Sequence, residues 1–483
     1  MMIILLQFIL TALACAGLWW TWSRLAGRGK ASLIIALGFI ARAFGGQLLF
    51  WISWLKLPLA RSLQLGNGFW FIAIDGPGYL SFANELIGYG PKAILFVSTA
   101  YKSRVYTQAF TVAVAAFGVV ASVAILFNCA AYLATCAIIQ RLGRDSRKER
   151  SRLVALAAVA FGPGMILWSL QALKDTFFLF LVAALIWACF RWQELWREGA
   201  SRKWRRLLAC AASMVILTYA IGGIRWYFAA IVWAMSAIFF IQVALSARSR
   251  AFALLAGGLL FVLLSQAVRL GGDDDIPWQV RRILAPGAVM TLRLWNPSAA
   301  PTWQPSSVPR LVVEVRGGFD HTPGATMILA GPALSPASSQ EKKVAAVPSP
   351  SVASQPPAFL KVLATLLTGF AAMFIPRFLA QAAGLIHIGG GRGFWVFVEA
   401  DTLVVDAVVL FAVIYCWRAL RSWARVTPLF ILLALVFLAT AGPMMYAVSN
   451  FGTLFRLRLM VYFIAALLPL TLAPRVEVDP QIH

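Results

Sequence analysis

An all-α polytopic membrane protein is the fold expected of this chain. Of its 483 residues, 61% are hydrophobic and only 12% are charged, and the mean hydropathy is +0.80. No soluble domain of this size needs so much apolar surface. The apolar runs repeatedly reach the roughly 20 residues that cross a bilayer. They are continuous, without the alternation of a barrel strand, so helices that satisfy their own backbone in lipid are expected. Basic clusters separate the runs, as the positive-inside bias requires. By length and charge this amounts to about eleven transmembrane helices plus one re-entrant or interfacial element.

The composition also removes other classes. Lysine and arginine outnumber aspartate and glutamate by 42 to 18, a net charge of +24. Much of the excess sits in short loops beside apolar runs, where it sets topology, so no nucleic-acid partner is expected. Cys15, Cys129, Cys136, Cys189, Cys210 and Cys416 lie within or beside apolar runs, and none makes a CxxC pair. Neither a disulfide framework nor a cysteine metal site is indicated. His321, His387 and His483 are scattered, which argues against a histidine metal cluster.

Residues 1–268 form an N-terminal transmembrane region. Residues 1–22 are read as a helix because they lack the basic n-region and the cleavage site of a signal peptide. Arg24, Arg28 and Lys30 follow on the cytoplasmic side. The second span, 31–55, contains Arg42, which either meets a partner or cavity or snorkels to the interface. Residues 56–104 are the first large outer loop, whose aromatics suit helices lying in the interface. Residues 105–140 are too long for one straight span, and Phe117-Gly118 divides them. Half of the residues in 141–152 are basic, the strongest cytoplasmic marker in the chain.

Residues 153–168 and 173–190 form a helical pair joined on the outer side through Ser169, Lys174 and Asp175. The basic stretch 191–206 is inside. Residues 207–221 run outward, the chain turns through Gly222-Gly223-Ile224-Arg225-Trp226-Tyr227, and 228–245 return. Residues 251–268 run outward again.

Residues 269–358 make a second outer loop. Asp273, Asp274 and Asp275 read as a solvated turn, because a hard cation needs converging oxygens and not merely adjacent ones; a divalent cation is left open. Residues 311–315 suit a short strand, and the Pro- and Ser-rich 348–357 suit a disordered linker. Residues 359–483 form a C-terminal transmembrane region. A full span at 359–375 would leave Arg418, Arg421 and Arg425 outside, so 359–395 is read as re-entrant or interfacial. Residues 401–417 run inward, 429–447 outward, and 459–472 return after an outer turn at 449–458.

The stretch Ile74-Asp75-Gly76-Pro77-Gly78-Tyr79 stands out in the first outer loop. Gly-Pro-Gly is read as a turn that holds Asp75 at its tip and starts a short helix over 79–86. On these residues alone, a helix-capping aspartate is the plainer account. The topology, built from Lys and Arg without reference to Asp75, changes the balance. It gathers Asp75, Tyr79, Lys174, Asp175, Arg225, Tyr227, Asn450, Arg456 and Arg458 at outer helix ends. Cations there run against the positive-inside bias. Arg offers a planar fork and Lys a point charge to phosphate oxygens. A carboxylate, a tyrosine and several cations at the interface suit a lipid-linked phosphate donor; helix caps and mutual pairing are the other account.

At these residues the chain resembles a known family. IDGPGYLSFA looks like the first-loop motif of GT-C membrane glycosyltransferases, including the protein mannosyltransferase-like, family 39-type enzymes. FGPGMILWSLQALKDTFFLFL resembles their helix pair with Ser and Lys-Asp between spans. SNFGTLFRLRLMVYFIAALLPL is similar to the closing segment of bacterial members. The chain differs in having a single acid at the loop tip and a helix before the usual first one. The resemblance implies a GT-C-like fold in a bacterial inner membrane. It also implies inverting transfer from a polyprenyl-phosphate sugar to a glycan, lipid or protein acceptor on the non-cytoplasmic face. Asp75 would match the general base. Lys174, Arg225, Arg456 and Arg458, singled out by topology, would stabilise charge on the leaving phosphate.

A polysaccharide polymerase or ligase would use the same cations on a lipid-linked glycan. A flippase or transporter would need broken helices and polar groups near the midplane, with repeat symmetry. Arg42 is the notable mid-span charge, and the sequence carries no convincing internal repeat.

Overall fold

The computed structural model describes residues 2–26, 29–95, 103–118, 121–198, 204–272, 392–447 and 451–474, with short pieces between 366 and 379. The helices run in the order α1 (Met2–Ala26), α2 (Lys30–Trp54), α3 (Gly76–Gly88), α4 (Pro91–Leu95), α5 (Arg104–Phe117), α6 (Val123–Leu142) and α7 (Glu149–Phe161). They continue with α8 (Pro163–Leu167), α9 (Asp175–Arg197), α10 (Trp204–Ser246), α11 (Arg250–Gly271), α12 (Arg392–Ser422), α13 (Pro428–Ala447) and α14 (Phe451–Leu467). Among the described residues, strand is confined to two small antiparallel pairs: β1 (Gln64–Gly66) with β2 (Phe69–Trp70), and β3 (Ala424–Arg425) with β4 (Ala473–Pro474). Among the described residues, 7 helices are long and apolar enough to cross a membrane: α2, α6, α9, α10, α11 and most of α12 and α13. The protein is an all-α, multi-span membrane protein.

The expected spans at 153–168 and 459–472 fall on helices that are not among these seven: α7 has 13 residues and α14 has 17. A Gly162-Pro163 step ends α7 and starts α8, since proline opens a helix more readily than it continues one. The break expected at Phe117-Gly118 is present: Gly118 takes φ 96°, a left-handed value that glycine adopts without strain, and α6 starts afresh at Val123.

The long α10 is a hairpin. Arg225 leaves helical geometry at φ −145°, ψ 80°. On one side of it, Cys210 donates its thiol to the Ala188 carbonyl of α9. On the other side, Phe228 meets Phe178 and Phe240 meets Trp192, again along α9. Both arms therefore descend α9 from the Asp175 end, as the Gly222–Tyr227 turn predicts. Small residues let the turn pack tightly. A Cβ on Gly223 would fall 2.5 Å from Val105, and one on Gly271 would fall 2.5 Å from the Tyr219 carbonyl.

Arg42 does not snorkel but meets partners inside the bundle. It is 1% exposed and donates to the Val159 carbonyl at 2.6 Å and the Ala160 carbonyl at 3.0 Å, as well as to Gly38 one turn back in its own helix. Those two carbonyls close α7, where helical partners run out. The guanidinium also lies 4.1 Å over the Tyr132 ring. A cation at a helix C-terminus is favourable, so Arg42 caps α7 and ties it to α2.

Two local expectations are corrected. Gly76-Pro77-Gly78 is not a free-standing turn but the first turn of α3, which starts three residues before the expected 79–86. Proline at the start of a helix loses nothing, because its missing N–H would have no partner there. The expected turn over 449–458 is helical from Phe451 onward, so Arg456 and Arg458 sit within α14. Asp273–Asp275, the strand at 311–315, the linker at 348–357, most of 359–395, Asn450, the three histidines and the tail beyond 474 lie outside the described residues.

Candidate functional site

The site is built where α3, α9, the α10 turn and α14 meet. Asp75 occupies the N-cap position of α3, yet its side chain makes no capping hydrogen bond. The carboxylate instead accepts from Arg456 Nη1 at 2.8 Å. Arg456 Nε donates to Asp175 Oδ2 at 2.6 Å, and the other oxygen of Asp175 accepts from Arg225 Nη2. Arg225 Nη1 in turn lies 3.2 Å from the Tyr227 hydroxyl. Acid and base alternate along this line, from surface to interior. The Asp75 side chain is 46% exposed, Arg456 19%, and Asp175 and Arg225 4% each.

Each member is held by its local structure. Asp175 is the first residue of α9, where a carboxylate suits the positive end of the helix dipole. Arg225 owes its position to the non-helical turn of α10 and lies 5.0 Å over the Phe178 ring. Arg456 passes 5.8 Å over Trp168. Its Nη2 is buried and, among the described residues, makes no hydrogen bond.

Lys174 precedes Asp175 and donates to the Ser103 hydroxyl. Burial, and then the adjacent Arg225 and Arg456, bring its ammonium down to about 8. Tyr79, one turn into α3, lies 3.5 Å from the same Ser103 oxygen and stacks edge-on against Tyr106 at 4.8 Å. Burial pushes the Tyr79 phenol up to about 12, against the effect of its contact with Ser103, so it stays a neutral donor. Ser103 is a site neighbour that sequence reasoning missed. It sits in a left-handed conformation at φ 57°, just before α5, and no spacing signal marked it.

Six of the expected residues, Asp75, Lys174, Asp175, Arg225, Tyr227 and Arg456, are thus joined by contact or close charge, and Tyr79 reaches them through Ser103. Arg458 is engaged elsewhere. Its Nη2 and Nε pair with Asp401 Oδ2 and its Nη1 donates to Thr402 at 2.8 Å, all at about 1–3% exposure. Asp401 also accepts the Gly164 N–H at 2.6 Å, at the start of α8. The spacing explains the divergence, because residues two apart on an α-helix point about 200° apart. Asp401 was another omission, although an acid within an apolar helix is itself a signal.

Among the described residues, no three His, Cys, Asp or Glu side chains cluster as metal ligands. The two carboxylates that approach one another, Asp75 and Asp175, are bridged by Arg456, so a divalent cation between them would have to displace a guanidinium. What the arrangement can do chemically is present one exposed carboxylate beside a surplus of cations: three basic groups face two acids. Comparison with protein-family models, with curated proteins and with solved structures finds no match.

Proposed function

We propose that this protein is a membrane glycosyltransferase of the GT-C type, moving a sugar from a polyprenyl-phosphate donor to an acceptor on the non-cytoplasmic face. The observation that carries the reading is the bond between exposed Asp75 and Arg456, with Arg456 anchored from behind by Asp175 and Arg225. In the proposed reaction the acceptor hydroxyl oxygen attacks the anomeric carbon and its proton passes to Asp75. The bond from that carbon to the phosphate oxygen breaks, and polyprenyl phosphate leaves with the electron pair. A fixed carboxylate within reach of the hydroxyl is the geometric requirement for such a base. Arg456 and Lys174 would meet the negative charge that grows on the phosphate. Arg225 would hold Asp175, and hence Arg456, in place. Arg458 falls outside this chemistry, because Asp401 and Thr402 already use its donors.

The test is mass spectrometry of lipid-linked and surface glycans from cells carrying wild type, Asp75→Asn or no protein. Loss of one glycan with build-up of its lipid-linked precursor is expected in both deficient strains, with the variant still inserted in the membrane. An unchanged profile without the protein would overturn the reading, and normal transfer by Asp75→Asn would remove Asp75 from it. The precursor's size separates a monosaccharide transferase from a polymerase or ligase.

A further inference from the structure

Away from this site, α9 and the first arm of α10 border an open groove of about 430 Å³. We propose that it holds one acyl chain of an anionic phospholipid, with the lipid phosphate on Arg191 and Arg206. Its floor is small, with Ala184 and Ala188 on α9 beside Ala209, Cys210 and Ser213 on α10, and Trp187, Leu195 and Leu217 add larger apolar walls. Its serine and cysteine are already bonded. Ser213 donates to the Ala209 carbonyl of its own helix at 2.8 Å, and Cys210 donates to Ala188 at 3.0 Å. What remains is an apolar slot on two membrane-crossing helices. An empty slot there would forfeit dispersion contacts that a lipid tail supplies.

Charge distinguishes one end from the other. Arg191 and Arg206 border the slot at the end that the positive-inside bias assigns to the cytoplasm. The flanking described residues add Arg197 and Arg205 against only Glu194 and Glu198, so the local balance stays positive. Arg191 pairs with Glu194 at 2.5 Å but is 39% exposed, and Arg206 is exposed. Basic pockets between transmembrane helices on this side select anionic headgroups. A tail in the slot and a phosphate at its basic mouth match one molecule end to end. The inference does not depend on the proposed sugar transfer.

The full chain in detergent, titrated with phosphatidylglycerol or phosphatidylcholine and read by native mass spectrometry, tests this. Phosphatidylglycerol should be retained at least about fivefold better, the scale expected of one basic residue at an anionic surface. Arg206→Ala, an exposed change, should lower phosphatidylglycerol retention about fivefold and phosphatidylcholine retention by less. Ser213→Trp should fill the slot and reduce both, with thermal unfolding reporting that the fold persists; if that variant does not fold, Arg206→Ala decides alone. Equal retention of the two lipids, or no effect of Arg206→Ala, overturns the proposal. So does a dimer that Ser213→Trp dissociates, because a second copy would then be the occupant.

Discussion

Arg456 donates to Asp75 with one nitrogen and to Asp175 with another, so a single guanidinium on α14 joins the N-terminal ends of α3 and α9. The two contacts use different edges of a planar fork, which lysine lacks. Arg456→Lys should therefore keep the charge but lose one of the two bonds. Under the proposed function, transfer of sugar in isolated membranes should fall by about 100-fold, the usual scale for losing a preorganised charge stabiliser. Thermal unfolding should shift less than for Arg456→Ala, which strands Asp175 with Arg225 alone. Wild-type transfer rates in Arg456→Lys would show that the bridge is structural only.

Lys174 makes a prediction about pH. Burial, and then the nearby Arg225 and Arg456, bring its ammonium in the folded protein down to about 8, against 10.5 for an ordinary lysine. Between these values the unfolded chain binds a proton that the folded protein does not. Stability therefore rises with pH from about 8 to 10.5, and below 8 the full cost of burying the charge is present. Lys174→Met should be more stable than wild type at pH 7, by on the order of 2 kcal/mol, and the advantage should fade by pH 10. Melting curves in detergent from pH 6.5 to pH 10, spanning the range about 8 to 10.5, read this directly. If Lys174 also holds phosphate, donor binding should weaken above pH 8 in wild type and be weak throughout in the variant. A wild-type stability difference that does not change with pH would contradict the first part.

Much of this architecture is written in the apolar runs and their glycines. Gly118 and Gly222-Gly223 mark two breaks correctly because glycine tolerates backbone values and close approaches that other residues resist. The meeting of Asp75 with Arg456 is also legible, because charge bias sends both to one end of the bundle. The fate of the individual polar groups is not. Charge bias assigns a side of the membrane but says nothing about helix azimuth. It therefore could not tell that Arg456 and Arg458 diverge, or that Arg42 ends on the carbonyls of α7. Asp75 was misjudged locally for a related reason. An N-cap aspartate ordinarily bonds its own helix, and here a distant arginine outcompetes those backbone N–H groups.

The Asp401–Arg458 pair is almost fully enclosed, which makes its rupture costly. Arg458→Ala should destabilise by about 3–5 kcal/mol, because a carboxylate is left buried without its counter-charge. Asp401→Asn should cost less than Asp401→Ala, since its amide oxygen can still accept the Gly164 N–H. A double change, Arg458→Leu with Asp401→Asn, should recover part of the Arg458→Leu loss, because no charge remains buried. Unfolding of all these variants in one detergent gives the coupling between the two sites. Strict additivity would mean that the pair contributes no mutual energy.

Gly38 offers a test of how α2 and α7 are joined. A Cβ added there would fall 2.2 Å from the Tyr132 hydroxyl and 2.7 Å from Ala160 Cβ, both too close for contact. Its carbonyl accepts from Arg42, and Tyr132 also lies under the Arg42 guanidinium. Any shift that relieves the clash must therefore move the capping arginine off Val159 and Ala160. Gly38→Ala raises helix propensity by about 1 kcal/mol in isolation. Overpacking of this severity costs about 1–3 kcal/mol, before the loss of bonds to Arg42 is added. A net destabilisation is expected despite the better helix former. At Gly258, in the middle of α11, nothing lies within 4 Å of an added Cβ, so Gly258→Ala should be neutral or stabilising. Comparing the two melting temperatures separates packing from propensity, and a Gly38→Ala protein as stable as Gly258→Ala would mean that α2 and α7 are not in the close contact described.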